Sequence, residues 1–73
     1  MYFGYCLIPF DNCWTPPVHL ETAEAAFCYC KLHHRWFQEI RITDEDDFMV
    51  LHVIDHMLMY LRADGTMNRT LLG

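Results

Sequence analysis

Apolar and polar positions change their period several times along the chain, and each change marks an element. Residues 2–8, Tyr-Phe-Gly-Tyr-Cys-Leu-Ile, are dense in strand-forming side chains over a stretch too short for a helix, which predicts a strand. Pro9 ends it or holds it at a sheet edge, because proline cannot donate to a ladder. Residues 9–19 carry Asp11, Asn12, Pro16 and Pro17 and read as a loop. Phe10 and Trp14 lie in this loop, so part of it packs down or forms a binding surface.

Thr22 has the chemistry of a helix N-cap, and Glu24 places a negative charge in the first turn. Ala23, Ala25 and Ala26 are strong helix formers. Ala23, Ala26, Phe27, Cys30 and His34 recur at helical spacing and predict an inward face. Lys31, His33, His34 and Arg35 put positive charge near the end. A helix over about 23–34 is expected.

Residues 36–43 alternate from Gln38 onward. Glu39 and Arg41 fall on one face, Ile40 and Ile42 on the other, as in a half-buried strand. Residues 44–62 admit two readings. Thr43 and Asp46 have capping-box spacing, and Gly65 suits a helix stop, so a helix is one reading. The favoured reading is a hairpin, with Asp44–Asp47 a polar turn, Phe48–Ile54 a strand, Asp55-His56 a second turn and Met57–Leu61 another strand. Phe48 to Leu51 are apolar in succession, which a surface helix would expose but a small sheet can divide between two faces. Residues 66–73 have little to bury and read as a flexible tail. The expected fold is α+β, one helix packed on a small antiparallel sheet in the order β-α-β-β-β, with β-α-β-α the alternative. Residues 1–65 would form a single domain.

Composition narrows the function. The chain has 73 residues, 53% of them hydrophobic, and a net charge of -5. That excludes a disordered chain and demands a core rich in large side chains. Its cations, Lys31, Arg35, Arg41, Arg62 and Arg69, are scattered, so no phosphate-binding stripe forms and direct nucleic-acid binding is not expected. Residues 1–10 lack a basic leader and a small-residue cleavage site, and no apolar run is long enough to span a bilayer. A cytoplasmic location is expected.

The chemistry-bearing residue types do not assemble into a known signature. Cys6, Cys13, Cys28 and Cys30 could make a disulfide framework, but without a secretory signal buried thiols are favoured. Cys28, Cys30, His33 and His34 are zinc-ligand types. On a helix, residues two apart point about 200° from each other, so only Cys30 with His34 could share an ion, and further ligands would be needed. His52 and His56 could chelate only on a helix. Zinc held by Cys30 and His34 is therefore the alternative, and no metal or other cofactor the expectation. No nucleophile elbow or glycine-rich phosphate loop is present, and an enzyme is not expected.

Protein binding is the reading that remains. Phe10, Trp14, Trp36, Tyr2 and Tyr60 exceed what one small core hides, and aromatic residues dominate interface hot spots. Phe10 and Trp14 are the expected anchors. Asp44, Glu45, Asp46 and Asp47 are either a solvated turn or a cluster that steers toward a basic partner. The density of histidine also admits pH-dependent stability or assembly.

In size, charge and layout the chain resembles small phage-encoded proteins that bind and regulate host enzymes. The segment Glu39-Ile-Arg-Ile-Thr-Asp-Glu-Asp-Asp47 after an alanine-rich helix looks like many small bacterial and phage chains. The resemblance implies a host-enzyme partner, RNA polymerase first, and a role in transcription regulation. It carries over no individual functional residue. A homo-oligomerising structural domain is the third expectation.

Overall fold

The computed structural model describes residues 1–62 and 64–73; Ala63, inside the expected 1–65 domain, lies outside them. The elements run β1 (Tyr2–Ile8), β2 (Cys13–Trp14), β3 (Val18–Leu20), α1 (Ala23–His33), β4 (Glu39–Thr43), β5 (Met49–Ile54), β6 (Met57–Leu61) and β7 (Met67–Leu71). The α+β class is as expected: one helix on an antiparallel sheet ordered β2-β1-β4-β5-β6-β7, with β3 also paired to β1. β3 and β4 both pair with Phe3 and Gly4 of β1, so they lie on its opposite edges and run the same way. The helix carries the chain from one to the other across β1.

Three segments depart from the sequence reading. The expected loop at 9–19 contains β2 and all of β3 but Leu20, and both strands follow the same edge of β1. Pro16 and Pro17 interrupt that edge, because they supply no N–H to a ladder. Thr15 bridges the gap: its N–H donates to the Cys6 carbonyl and its Oγ1 accepts from the Cys6 N–H, at 2.8 and 3.0 Å. The expected strand at 36–43 starts only at Glu39, since Trp36 and Phe37 close a turn on the His33 carbonyl. The expected tail at 66–73 contains β7, paired with β6 from Leu61↔Met67 to Met57↔Leu71. Strand pairing, which needs no buried side chain, recruits this segment.

The hairpin reading of 44–62 holds. Asp55 and His56 both adopt positive φ, 51° and 68°, the two-residue turn whose twist matches flanking strands. At the other end, Asp44 Oδ1 accepts from the Asp46 and Phe48 N–H groups and shapes the β4–β5 turn. The Asp carboxylate thus serves a turn rather than a helix start. Asp64 does the same for Thr66 before β7, where Gly65 takes a φ of 89°.

Thr22 caps α1 as expected, accepting from the Ala25 N–H at 3.0 Å. The helix buries Ala26, Tyr29 and Cys30, followed by the cap residue His34. Ala23 and Phe27, expected inward, are exposed instead. The helix packs over β1, β3 and β4 and not over the far strands, so the side of its face nearest β5 and β6 looks into a groove. Ile40, Ile42, Val53 and Leu58, each no more than 1% exposed, form the centre of the core with Cys6 and Cys30. Each such aliphatic side chain contributes about 1.5–3 kcal/mol on burial. Among the described residues no helix is long and apolar enough to cross a membrane.

Candidate functional site

Residues directly opposite on antiparallel strands share a face, so the registers assign the paired side chains, with a bulge in the β4–β5 pairing between Ile42 and Thr43. Gly4, Cys6, Ile40, Ile42, Val53 and Leu58 lie on the helix side of the sheet. The other face carries Phe3, Tyr5 and Leu7 from β1, Trp14 from β2, and Glu39, Arg41 and Thr43 from β4. His52, Met57, Met59, Leu61, Met67, Arg69 and Leu71 extend it across β5–β7. One continuous row, Tyr5, Arg41, His52, Met59 and Arg69, crosses five strands. No element of the described chain covers this face. Its far half is strongly apolar, with Leu61 66% and Leu71 63% exposed.

A charged pair of strands runs through the middle of the face. Glu39 Oε2 lies 2.7 Å from His52 Nε2 and 3.5 Å from Arg41 Nε. The Arg41 guanidinium also stacks on Trp14, 4.5 Å from the ring centroid. A cation over an indole contributes about 0.5–1 kcal/mol at an exposed site. Alternation in the sequence already placed Glu39 and Arg41 together; the partners His52 and Trp14 come from strands that only the register aligns.

Tyr5, Trp14, Arg41, Thr43 and Asp47 line a cavity of about 310 Å³ on this face. Thr43 is 8% exposed, and its Oγ1 has no hydrogen-bond partner among the described residues. An unsatisfied buried hydroxyl costs about 1–3 kcal/mol.

The sequence-predicted partner residues divide between places. Trp14 and Asp47 meet at the cavity. Phe10 stands 98% exposed on the β1–β2 turn and is not part of its lining. Asp44 is engaged in its turn, Glu45 lies 3.2 Å from the terminal amine of Met1, and Asp46 is exposed. The aromatic patch expected around Phe10 and Trp14 is therefore two separate features.

The cysteine and histidine chemistry also resolves. All four cysteines are free, so the disulfide alternative does not form. Cys6 and Cys30 are sealed in the core; burial pushes the Cys30 thiol up to about 12 and raises Cys6 as well. The Tyr29 hydroxyl lies 3.0 Å from Cys6 Sγ. Cys30 and His34 do not form the alternative zinc pair. The thiol points into the core, whereas His34 Nδ1 meets His56 Nδ1 at 2.8 Å. Among the described residues no group of three or more His, Cys, Asp or Glu could hold a metal ion. Burial and the neighbouring His56 and Arg35 push the His34 pKa below its usual value.

A second, apolar groove of about 300 Å³ lies beside α1, walled by Phe27, Ala23, Val50, Leu51, Leu58 and Tyr60, with Tyr2 and Ala26 also contributing. No family model, curated protein or solved structure matches the chain.

Proposed function

We propose that this protein is a non-enzymatic regulator that binds a larger protein partner through the helix-free face of its sheet. The observation that carries this reading is that face itself: aromatic and methionine-rich, crossed by a paired Glu39–Arg41–His52 strip, and uncovered by the rest of the chain. Exposed apolar patches with polar elements are characteristic of interaction surfaces. Action would be steric. A stable complex buries about 1,200–2,000 Å² in total, a share of the surface that this face and its rim can supply.

The likeness to phage-encoded host-enzyme binders makes bacterial RNA polymerase the first partner to test, with transcription regulation the consequence and the bacterial cytoplasm the setting. Glu45 and Asp46, which are not needed for the turn as Asp44 is, would steer the approach to a basic surface. The test is capture from bacterial lysate on the tagged protein, beside a Leu61→Lys/Met67→Lys variant. Both substituted side chains are more than half exposed, so the fold should tolerate them. Stoichiometric recovery of one large enzyme by the parent and not by the variant is expected. Recovery by both would remove the face from the reading; recovery by neither would remove the partner.

A further inference from the structure

We infer that the cavity lined by Tyr5, Trp14, Arg41, Thr43 and Asp47 is a subsite for a primary ammonium, the side chain of a lysine on a basic partner. The inference rests on the partner-binding reading and names the chemistry by which part of that face would recognise its target.

Two independent features point there. The first is the Thr43 hydroxyl, buried and without a partner. A hydroxyl can donate or accept, so by itself it asks for a polar ligand without fixing its sign. The second is the charge left unpaired around the cavity. The Asp47 carboxylate has no hydrogen bond or ion pair among the described residues, and it can only accept. Arg41, the cation in the lining, is already held by Glu39 at 3.5 Å and by the Trp14 ring. Asp46, exposed, precedes Asp47 in the same turn, whereas Glu45 is held by the Met1 terminal amine. The unspent potential is negative.

The acceptors that line the cavity then select an ammonium. The Asp47 carboxylate and the Thr43 and Tyr5 hydroxyls of the lining can all accept from an ammonium, which brings no acceptor that would repel them. A carboxylate would face Asp47. The Tyr5 and Trp14 rings provide walls for the apolar stem of a lysine, which packs while its head stays polar. A cavity of about 310 Å³ has room for one side chain. Thr43 Oγ1 is buried, so occupancy requires the side chains that line the cavity, Trp14 among them, to adjust. The indole should therefore report binding.

The experiment is an NMR titration of the ¹⁵N-labelled full chain with n-butylammonium chloride, with sodium butyrate and sodium chloride run in parallel. The Trp14 indole and the Thr43 and Asp47 amides should shift together along one saturating curve. Asp47→Asn should weaken binding about tenfold, the scale of a lost charge-assisted bond, and Thr43→Val should weaken it while leaving the fold intact. Should Asp47→Asn disturb the turn, Asp47→Gly is the second variant, because the position has a φ of 66° that glycine accepts. Equal, unsaturating shifts at all acidic turns would reduce the effect to counterion attraction and overturn the inference. So would saturation by butyrate at Arg41. If butylammonium binds but no protein is captured, the partner reading fails and the subsite stands. If a captured partner binds Asp47→Asn and Thr43→Val as tightly as the parent, the subsite fails and the partner reading stands.

Discussion

Gly4 decides how closely α1 approaches β1. A Cβ built on it would lie 2.8 Å from Tyr29 Cε1 and 3.2 Å from Leu20 Cδ1. Tyr29 rests on that bare backbone and reaches Cys6 with its hydroxyl. Gly4→Ala should cost about 1–3 kcal/mol, the usual penalty of overpacking, read as a lower urea midpoint at unchanged slope. A glycine in a strand run announces a close approach without saying of what, so the residue pattern does not point to Tyr29.

His34 sets a pH dependence at the same scale. Its pKa in the folded chain lies below the ordinary 6.5, through burial first and then the charges of His56 and Arg35. The unfolded chain therefore binds the proton more readily, so stability is intact above about 6.5 and falls as pH drops below it. Geometry gives the same sign: the Nδ1–Nδ1 contact needs one unprotonated nitrogen as acceptor, and protonating both rings destroys it. Denaturant midpoints should fall from pH 7.5 toward pH 5 (about the span over which an ordinary histidine titrates). His34→Gln, which keeps a hydrogen-bonding group without titrating, should flatten that slope; an unchanged slope would assign it elsewhere. The histidine count made such behaviour conceivable, but its sign depends on which two rings meet.

Among the elements, β7 separates local pattern from pairing most clearly. Met67–Leu71 bury almost nothing, with only Asn68 half-buried, so their side chains carry no strand signal above that of a tail. Their backbone nevertheless pairs with all of β6 and shields the edge of the strand that bears Leu58. Removing residues 67–73 should destabilise the fold. A loss of about 2 kcal/mol corresponds to roughly 8–16 °C in Tm for a domain of this size; an unchanged Tm would return the segment to a tail. The Glu39–Thr43 strand shows the opposite case. Its alternation was plain, and it became the centre of the sheet with Ile40 and Ile42 fully buried.

For the whole molecule, most of the acidic charge lies away from the helix-free face, which keeps Glu39 as its own carboxylate. Asp11, Asp44, Glu45, Asp46, Asp47, Asp55 and Asp64 sit in turns at the strand ends, while the helix-free face is largely apolar and aromatic. A net charge of -5 holds copies apart at low ionic strength. The partner-binding reading therefore expects a monomer by sedimentation at two loadings about tenfold apart. Growth of a dimer with loading, strengthened by salt, would mean that the face pairs with itself and would favour the oligomerising alternative.

The sequence by itself determined the local features whose causes are local. Thr22 caps a helix because its hydroxyl reaches the next turn; Ile40 and Ile42 alternate inward because a strand has a period of two. Asp55-His56 turns because the apolar runs on each side need to pair, and Trp14 and Asp47 stood out by type. Tertiary structure decided what depends on distant partners. The edge strands β2, β3 and β7 exist because of the neighbours they join. Phe10 and Trp14 part because one lies on a turn and the other on a sheet face. The cavity exists because β1, β2, β4 and the β4–β5 turn bring five residues together. Register aligned them, and register is a property of paired strands, which no single segment contains.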